Sequence, residues 1–191
     1  MSITKLNNLS ISAVTALQSG VGGKVLQVTQ SSDATLYSLS IPDASTDVVG
    51  SIAYSITPIS ASSKIIIHYT MPQVRLVGTA AGIRIRLYRQ IAGGGYSHVT
   101  GLSGTASSSK KNSLMGNYSG DGDAGQDGNR SLAYAGTIVD SPATTSAVDY
   151  KFYIGVGDGA YTVHINRTAN DTDAAYTSRT RTHVTLMEVT I

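Results

Sequence analysis

Cysteine and tryptophan are absent from the 191 residues, and phenylalanine and glutamate occur once each. Without cysteine there is no disulfide framework, no thiol nucleophile and no cysteine-held zinc, so cohesion must come from packing, to which subunit association can add. Charged residues make up 14% of the chain against 41% hydrophobic. Ser, Thr, Asn, Gln and Gly therefore supply most of the polarity. Good surface helices are filled with Ala, Leu, Glu and Lys, and Glu188 is the only glutamate here. Val, Ile, Thr and eleven Tyr instead suit pleated, half-buried surfaces. A formal net charge of +2, with Lys110-Lys111 as a mere pair, falls short of the basic stripe that nucleic acid requires. No apolar run approaches the roughly 20 residues that span a bilayer. The opening "MSITKLNNLSISAVTALQSG" lacks the basic start and dense apolar centre of a signal peptide. A soluble chain made in a cytoplasm is expected, with neither a nucleic-acid nor a membrane partner.

What is present is a series of short alternating runs, in a length that fits one all-β domain of up to roughly 200–250 residues. "KVLQVTQ" from Lys24, "TLYSLSI" from Thr35 and "VGSIAYSI" from Val49 read as strands. "KIIIHYTM" sets Ile65, Ile67, Tyr69 and Met71 on one face and Ile66, His68 and Thr70 on the other. "GIRIRLYRQ" places Ile83, Ile85 and Leu87 inward with Arg84, Arg86 and Tyr88 outward. "VDYKFYIGV" does the same with Val148, Tyr150, Phe152 and Ile154 against Asp149, Lys151 and Tyr153. "GDGA" then marks a hairpin turn, and "YTVHINR" returns with Tyr161, Val163 and Ile165 against Thr162, His164 and Asn166. With "SLAYAGTIVD" and the closing "RTHVTLMEVTI", about nine or ten strands stand at the spacing of a sandwich or barrel. In "ITPISASSKIIIHYT", Pro58 ends pairing because it cannot donate to a ladder, and Lys64 guards the strand Ile65 to Met71, which belongs in mid-sheet.

Two regions break this rhythm. In residues 1–23 the apolar Ile3, Leu6, Leu9, Val14 and Leu17 are thinly spread among Ser, Thr and Asn, too sparse for a core and readable as a helix face or as an extended arm. From about 97 to 130 the chain is Gly/Ser-rich, and loops beyond roughly 12–15 residues are usually functional or disordered. This stretch is expected to project between strands, with one short strand near "NSLMGNY".

Candidate chemistry is sparse. Asp121, Asp123 and Asp127 in "DGDAGQDGN" offer oxygen ligands of the kind calcium favours, but Asp-Gly repeats are commoner as plain turns and no metal or other cofactor is expected. His68, His98, His164 and His183 lack any HxH or HExxH spacing, and His68, His164 and His183 are expected on solvent or interface faces. There is no GxSxG elbow for a nucleophile, and the strand after "GVGDGA" is not the helix that a phosphate cradle needs. No enzymatic activity is expected. Tyr88, Tyr96, Tyr118, Tyr153 and Tyr176 suit a contact surface or simply fill a sheet face beside a neighbour. Arg84, Arg86 and Arg89 make a local positive face.

"GGKVLQVTQ", "ITPISASSKIIIHYT", "VDSPATTSAVDYKFYI" and "HVTLMEVTI", in this order, resemble a module of tailed-bacteriophage virion proteins, particularly of phages of aquatic bacteria. The resemblance covers nearly the whole chain except a central stretch from Thr100 to Arg130. It implies a jelly-roll-like, antiparallel β-sandwich over 24–191, assembled as a homotrimer, and a non-enzymatic place in the virion. On this reading the protein is a capsid decoration, cement or head-fibre protein made in the host cytoplasm. Its arm, through Ile3, Leu6, Leu9, Val14 and Leu17, docks on the major capsid protein or another virion protein. The alternative it implies is a tail-fibre tip that adheres to host surface glycans through a loop bearing Tyr96, His98, Tyr118, Asp121, Asp123 and Asp127.

Overall fold

The computed structural model describes residues 23–77, 81–119, 131–168, 171–175 and 177–190. Their strands are β1 (Lys24–Asp33), β2 (Tyr37–Ile41), β3 (Asp47–Val49), β4 (Tyr54–Ile56), β5 (Lys64–Val77) and β6 (Ala81–Ile91). After them come β7 (Ser97–His98), a 3-10 turn (Thr100–Leu102), β8 (Met115–Ser119), β9 (Leu132–Asp140), β10 (Val148–Val156), β11 (Tyr161–Ile165) and β12 (Thr182–Thr190). All pair antiparallel, in two sheets of six strands. In the first sheet β5 is central. β9 runs along one edge of it, while the other edge carries β12 and then β11, with β1 outside β12 and β2 outside β11. In the second, β10 and β6 form the middle, β3 and β4 flank β10, and β7 and β8 flank β6.

Alternation decides what lies between the sheets. Ile65, Ile67, Tyr69 and Met71 of β5 and Val184 and Leu186 of β12 are buried on one side. Ile83, Ile85 and Leu87 of β6 and Val148, Tyr150, Phe152 and Ile154 of β10 are buried on the other. The layers meet where the rings of Tyr69 and Phe152 approach to 5.3 Å, with Tyr54 edge-on to Phe152 at 6.2 Å. Each such side chain contributes roughly 1.5–3 kcal/mol when fully buried, so this double row dominates the stability. Polypeptide alternation thus yields the expected β-sandwich.

Three local features depart from the sequence pattern. The run expected as one strand from Val49 is split into β3 and β4, because the Ser51 hydroxyl takes the ladder position and accepts the Phe152 backbone N–H at 2.9 Å. The strand expected to end at Met71 continues to Val77 through Pro72, and the register shifts between Met71 and Val74. Such an irregularity is where a sheet tolerates proline. The stretch after residue 97 does not leave the body at once. β7 and β8 fold back along the same edge of β6, and β8 overlaps the short strand expected near "NSLMGNY".

Two buried polar residues fasten the ends of the sandwich. Glu188 sits in the inner row of β12, two positions beyond Leu186. Its carboxylate accepts the backbone N–H groups of Ile59 at 2.8 Å and Ser60 at 3.1 Å and the Gln27 amide at 2.6 Å. The turn after Pro58 is therefore seated on a carboxylate as well as ended by a proline. Asn166 has φ of 63° and no exposed surface, a left-handed conformation that asparagine tolerates better than most residues. It donates its side-chain amide to the carbonyls of Asp33 and Thr35 at 2.9 and 3.0 Å and accepts the Thr182 hydroxyl at 3.0 Å. Its own backbone N–H reaches the Gln73 carbonyl and its carbonyl accepts from Thr180. One residue thus ties the ends of β1, β11 and β12 to the irregular part of β5.

Candidate functional site

The residues richest in chemistry stand on the outer face of the second sheet. Antiparallel pairing brings Tyr88 beside Lys151 and Arg86 beside Tyr153, while β7 sets His98 opposite Tyr88. The rings form a ladder: Tyr153 stacks on Tyr88 at 3.9 Å, His98 stacks on Tyr88 at 5.5 Å, and Tyr96 leans on Tyr153 at 6.4 Å. The Lys151 ammonium lies 4.7 Å from the centre of the Tyr96 ring, a cation–π distance.

At the foot of the ladder Asp47 of β3 gathers three donors. Arg84 Nε donates to its Oδ1 at 3.0 Å, Arg86 donates to its Oδ2, and the Tyr88 hydroxyl donates to Oδ2 at 3.1 Å. Arg86 spends its remaining nitrogens on Asn112, at 2.7 Å to the carbonyl and 2.9 Å to the side chain. Arg84 reaches the carbonyls of Thr46 and Val156 and is only 5% exposed. Gly155 provides the room, since a Cβ there would stand 2.3 Å from Asp47 Oδ1 and 2.5 Å from Arg84 Cζ.

The positive face expected from Arg84, Arg86 and Arg89 is therefore not formed. Two of these arginines are largely buried and share the single carboxylate of Asp47, which offsets one of their two charges, with their other donors spent on carbonyls and Asn112. The third is turned over to the inner row, where Arg89 grips Asp140 with contacts of 2.9 and 2.8 Å and Tyr150 donates to the same carboxylate at 2.7 Å. Arg89, His98, Thr100, Leu102, Asp140 and Ser141 line a shallow cleft of about 370 Å³ at that end of the sandwich.

The environment fixes the protonation states. Burial, and then the Arg86 charge, lower the His98 pKa, so the imidazole is neutral near pH 7 and shares a 2.8 Å hydrogen bond with the Ser103 hydroxyl. Burial, followed by the Asp47 carboxylate, raises that of Tyr88. Burial, followed by Asp149, raises that of Tyr96. All three present neutral, hydrogen-bonding groups. The Tyr88 ring is stacked with two neighbours, His98 and Tyr153, and Lys151 sits over the Tyr96 ring. What remains for a ligand is ring edges, hydroxyls and the Lys151 amine, a set suited to polar hydroxylated molecules more than to flat apolar ones.

Of the loop residues expected to face a ligand, Tyr96 and His98 are brought together here. Tyr118 lies on β8 opposite Gly82, with its side chain outside the described residues. Asp121, Asp123 and Asp127 also lie outside them, as do Tyr176 and the arm residues Ile3, Leu6, Leu9, Val14 and Leu17. Among the described residues no three His, Asp or Glu side chains gather as a metal site, and no helix is long and apolar enough to cross a membrane. His164, expected on a solvent or interface face, is only 8% exposed. Burial, with Arg167 next, lowers its pKa. His68 and His183 are exposed, as expected. Asn166, expected with Thr162 and His164 on the face away from Val163 and Ile165, is fully buried, and the roles of Asp47, Asp140 and Glu188 in these networks were not read from the sequence. Only Glu188 carried a signal, as a lone carboxylate in an inward row of an alternating strand. No family model matches the chain, and no curated protein is similar to it.

Proposed function

We propose that the chain is a non-enzymatic virion structural protein of a tailed bacteriophage, a capsid decoration, cement or head-fibre protein attached through its N-terminal arm. The observation that carries this reading is the division of labour along the chain. The described core is built from Leu39 to Leu186, and β1, the first described strand, is an edge strand paired only with β12. The described body thus begins, at Gly23, on its periphery, where a tether to a shell belongs. The resemblance in "GGKVLQVTQ" and "VDSPATTSAVDYKFYI" points the same way. The test is to mix capsids with the full chain and with a chain lacking residues 1–20. The shortened chain is expected to remain folded and to lose attachment; unimpaired attachment would overturn the proposal.

A second reading, adhesion to host surface glycans, is favoured by one observation: Tyr96, His98, Tyr153 and Lys151 share an outer face. Polar ring edges beside an amine suit sugar hydroxyls. Exchange of residues 97–130 between related particles, and separately Tyr96→Ala with Lys151→Ala, are expected to alter host range or adsorption on this reading, and adsorption unchanged by both would set it aside.

A further inference from the structure

The outer face of the first sheet carries a row that the core does not use. Val28 of β1 pairs with Met187 of β12, Met187 with Ile66 of β5, and Ile66 with Val139 of β9. These four apolar side chains form one line across four neighbouring strands, spanning roughly 14 Å at about 4.8 Å per interstrand step. Val28 is 55% and Val139 47% exposed, and Met187 and Ile66 are partly exposed. Val25, 54% exposed, lies beside Val189 in the next row. A lone exposed valine needs no explanation, whereas contiguous apolar surface is what association between chains draws on.

We propose that this row is a contact between two copies of the chain, packed face to face about a two-fold axis that lies in the face and runs parallel to the strands, midway between β12 and β5. The order of residues supports a second copy over a different partner. Read from either end, the row runs valine, larger residue, larger residue, valine, so the axis sets Val28 against the second copy's Val139 and Met187 against its Ile66. The charges agree. The described carboxylates of the four strands, Asp33, Asp140 and Glu188, are all buried, so the face offers no acidic group for a basic partner. Lys64 falls opposite the second copy's Val189 and His68 opposite its Thr185, so like charges do not meet. Lys64 is moreover bonded to the Ser141 hydroxyl at 2.7 Å. Apolar sheet faces stack in this manner at about 10 Å. Four strands by seven residues give a flat area of roughly 450 Å² per copy, below the roughly 800 Å² of a standard interface, so the pairing is weak and depends on concentration.

The symmetry supplies the test, because Val28 and Val139 are far apart within one chain and adjacent only across the axis. Sedimentation equilibrium over about 1–200 µM, the range of weak association, should show the 19.8 kDa chain passing from monomer to dimer. The double variant V28D/V139D is expected to raise the dissociation constant about tenfold or more, a change of about 1.4 kcal/mol or more. V28D/V139K places opposite charges across the axis and is expected to recover most of the loss. Circular dichroism and melting temperature report that each variant is folded, and V28T/V139T, which keeps strand-forming residues, stands in should an aspartate variant fail to fold; it too is expected to weaken the dimer. A chain that stays monomeric throughout, a dimer indifferent to these changes, a V28D/V139K variant as weak as V28D/V139D, or assembly as the homotrimer that the resemblance implies would each overturn the two-fold pairing.

Discussion

Replacing Glu188 tests how the turn after Pro58 is held. Its carboxylate accepts three hydrogen bonds, at 2.6, 2.8 and 3.1 Å. Alanine would strand two backbone N–H groups and one amide. Bonds to a charged group contribute about 1.5–3 kcal/mol each, but Ile59 is exposed and water can satisfy part of what is lost. The expected cost of Glu188→Ala is therefore about 2–4 kcal/mol, or a fall of about 5–15 °C in Tm for a domain of this size. Glu188→Gln keeps an acceptor for the two backbone groups but turns a donor toward the Gln27 amide, so an intermediate loss of about 1–2 kcal/mol is expected. Protonation follows the same logic. Burial alone would raise the pKa of Glu188, yet the donors, led by Gln27, outweigh it and hold the carboxyl below its ordinary value. A depressed folded pKa contributes stability that is present above the unfolded value and disappears as pH falls through the folded one. Urea unfolding of both variants and the parent, repeated from pH 7 down to about pH 3 across the range where glutamate titrates, measures both effects. The parent's advantage over Glu188→Gln should shrink as the pH falls. A Glu188→Ala variant within about 0.5 kcal/mol of the parent, the range of an ordinary surface change, would refute the reasoning.

Other substitutions separate the remaining networks. Asn166→Ala removes bonds to Asp33, Thr35 and Thr182 and leaves alanine at a positive φ; a loss of about 2–4 kcal/mol is expected in denaturant unfolding, and a neutral result would contradict its role as a fastening. Gly155→Ala drives a methyl into Asp47 and Arg84, so about 1–3 kcal/mol should be lost, with no loss for Ala at exposed Gly95, where a Cβ meets nothing. Asp140→Asn leaves Arg89 and Tyr150 without their shared carboxylate, and because Arg89 is partly solvated the expected cost is about 1–3 kcal/mol; thermal melts unchanged from the parent would show that the pair is incidental.

The inner rows were legible because alternation is a local property. Ile65 to Met71, Ile83 to Leu87 and Val148 to Ile154 follow a period of two, and all lie as that period requires. What was hidden depends on partners distant in sequence. Arg89 continues the inward row of β6, yet its fate depends on Asp140, 51 positions away. Arg84 and Arg86 looked like solvated charge until Asp47 was placed beneath them. The break at Gly50 and Ser51 depends on a hydroxyl bonding to a strand a hundred residues later. Tyr96 and His98 could be placed in one loop from the sequence, but not the stacking on Tyr153 and Tyr88 that occupies their rings. Glu188 was visible as the chain's single glutamate, although its partners around Pro58 were not.

Cryo-electron microscopy of whole particles bears most directly on the proposed role, with immunogold labelling of this chain to assign the density. Label on the capsid, with two-sheet bodies standing on the shell and their amino-terminal ends toward it, is the expected result. Label confined to the tail, or particles that carry none of the chain, would contradict it.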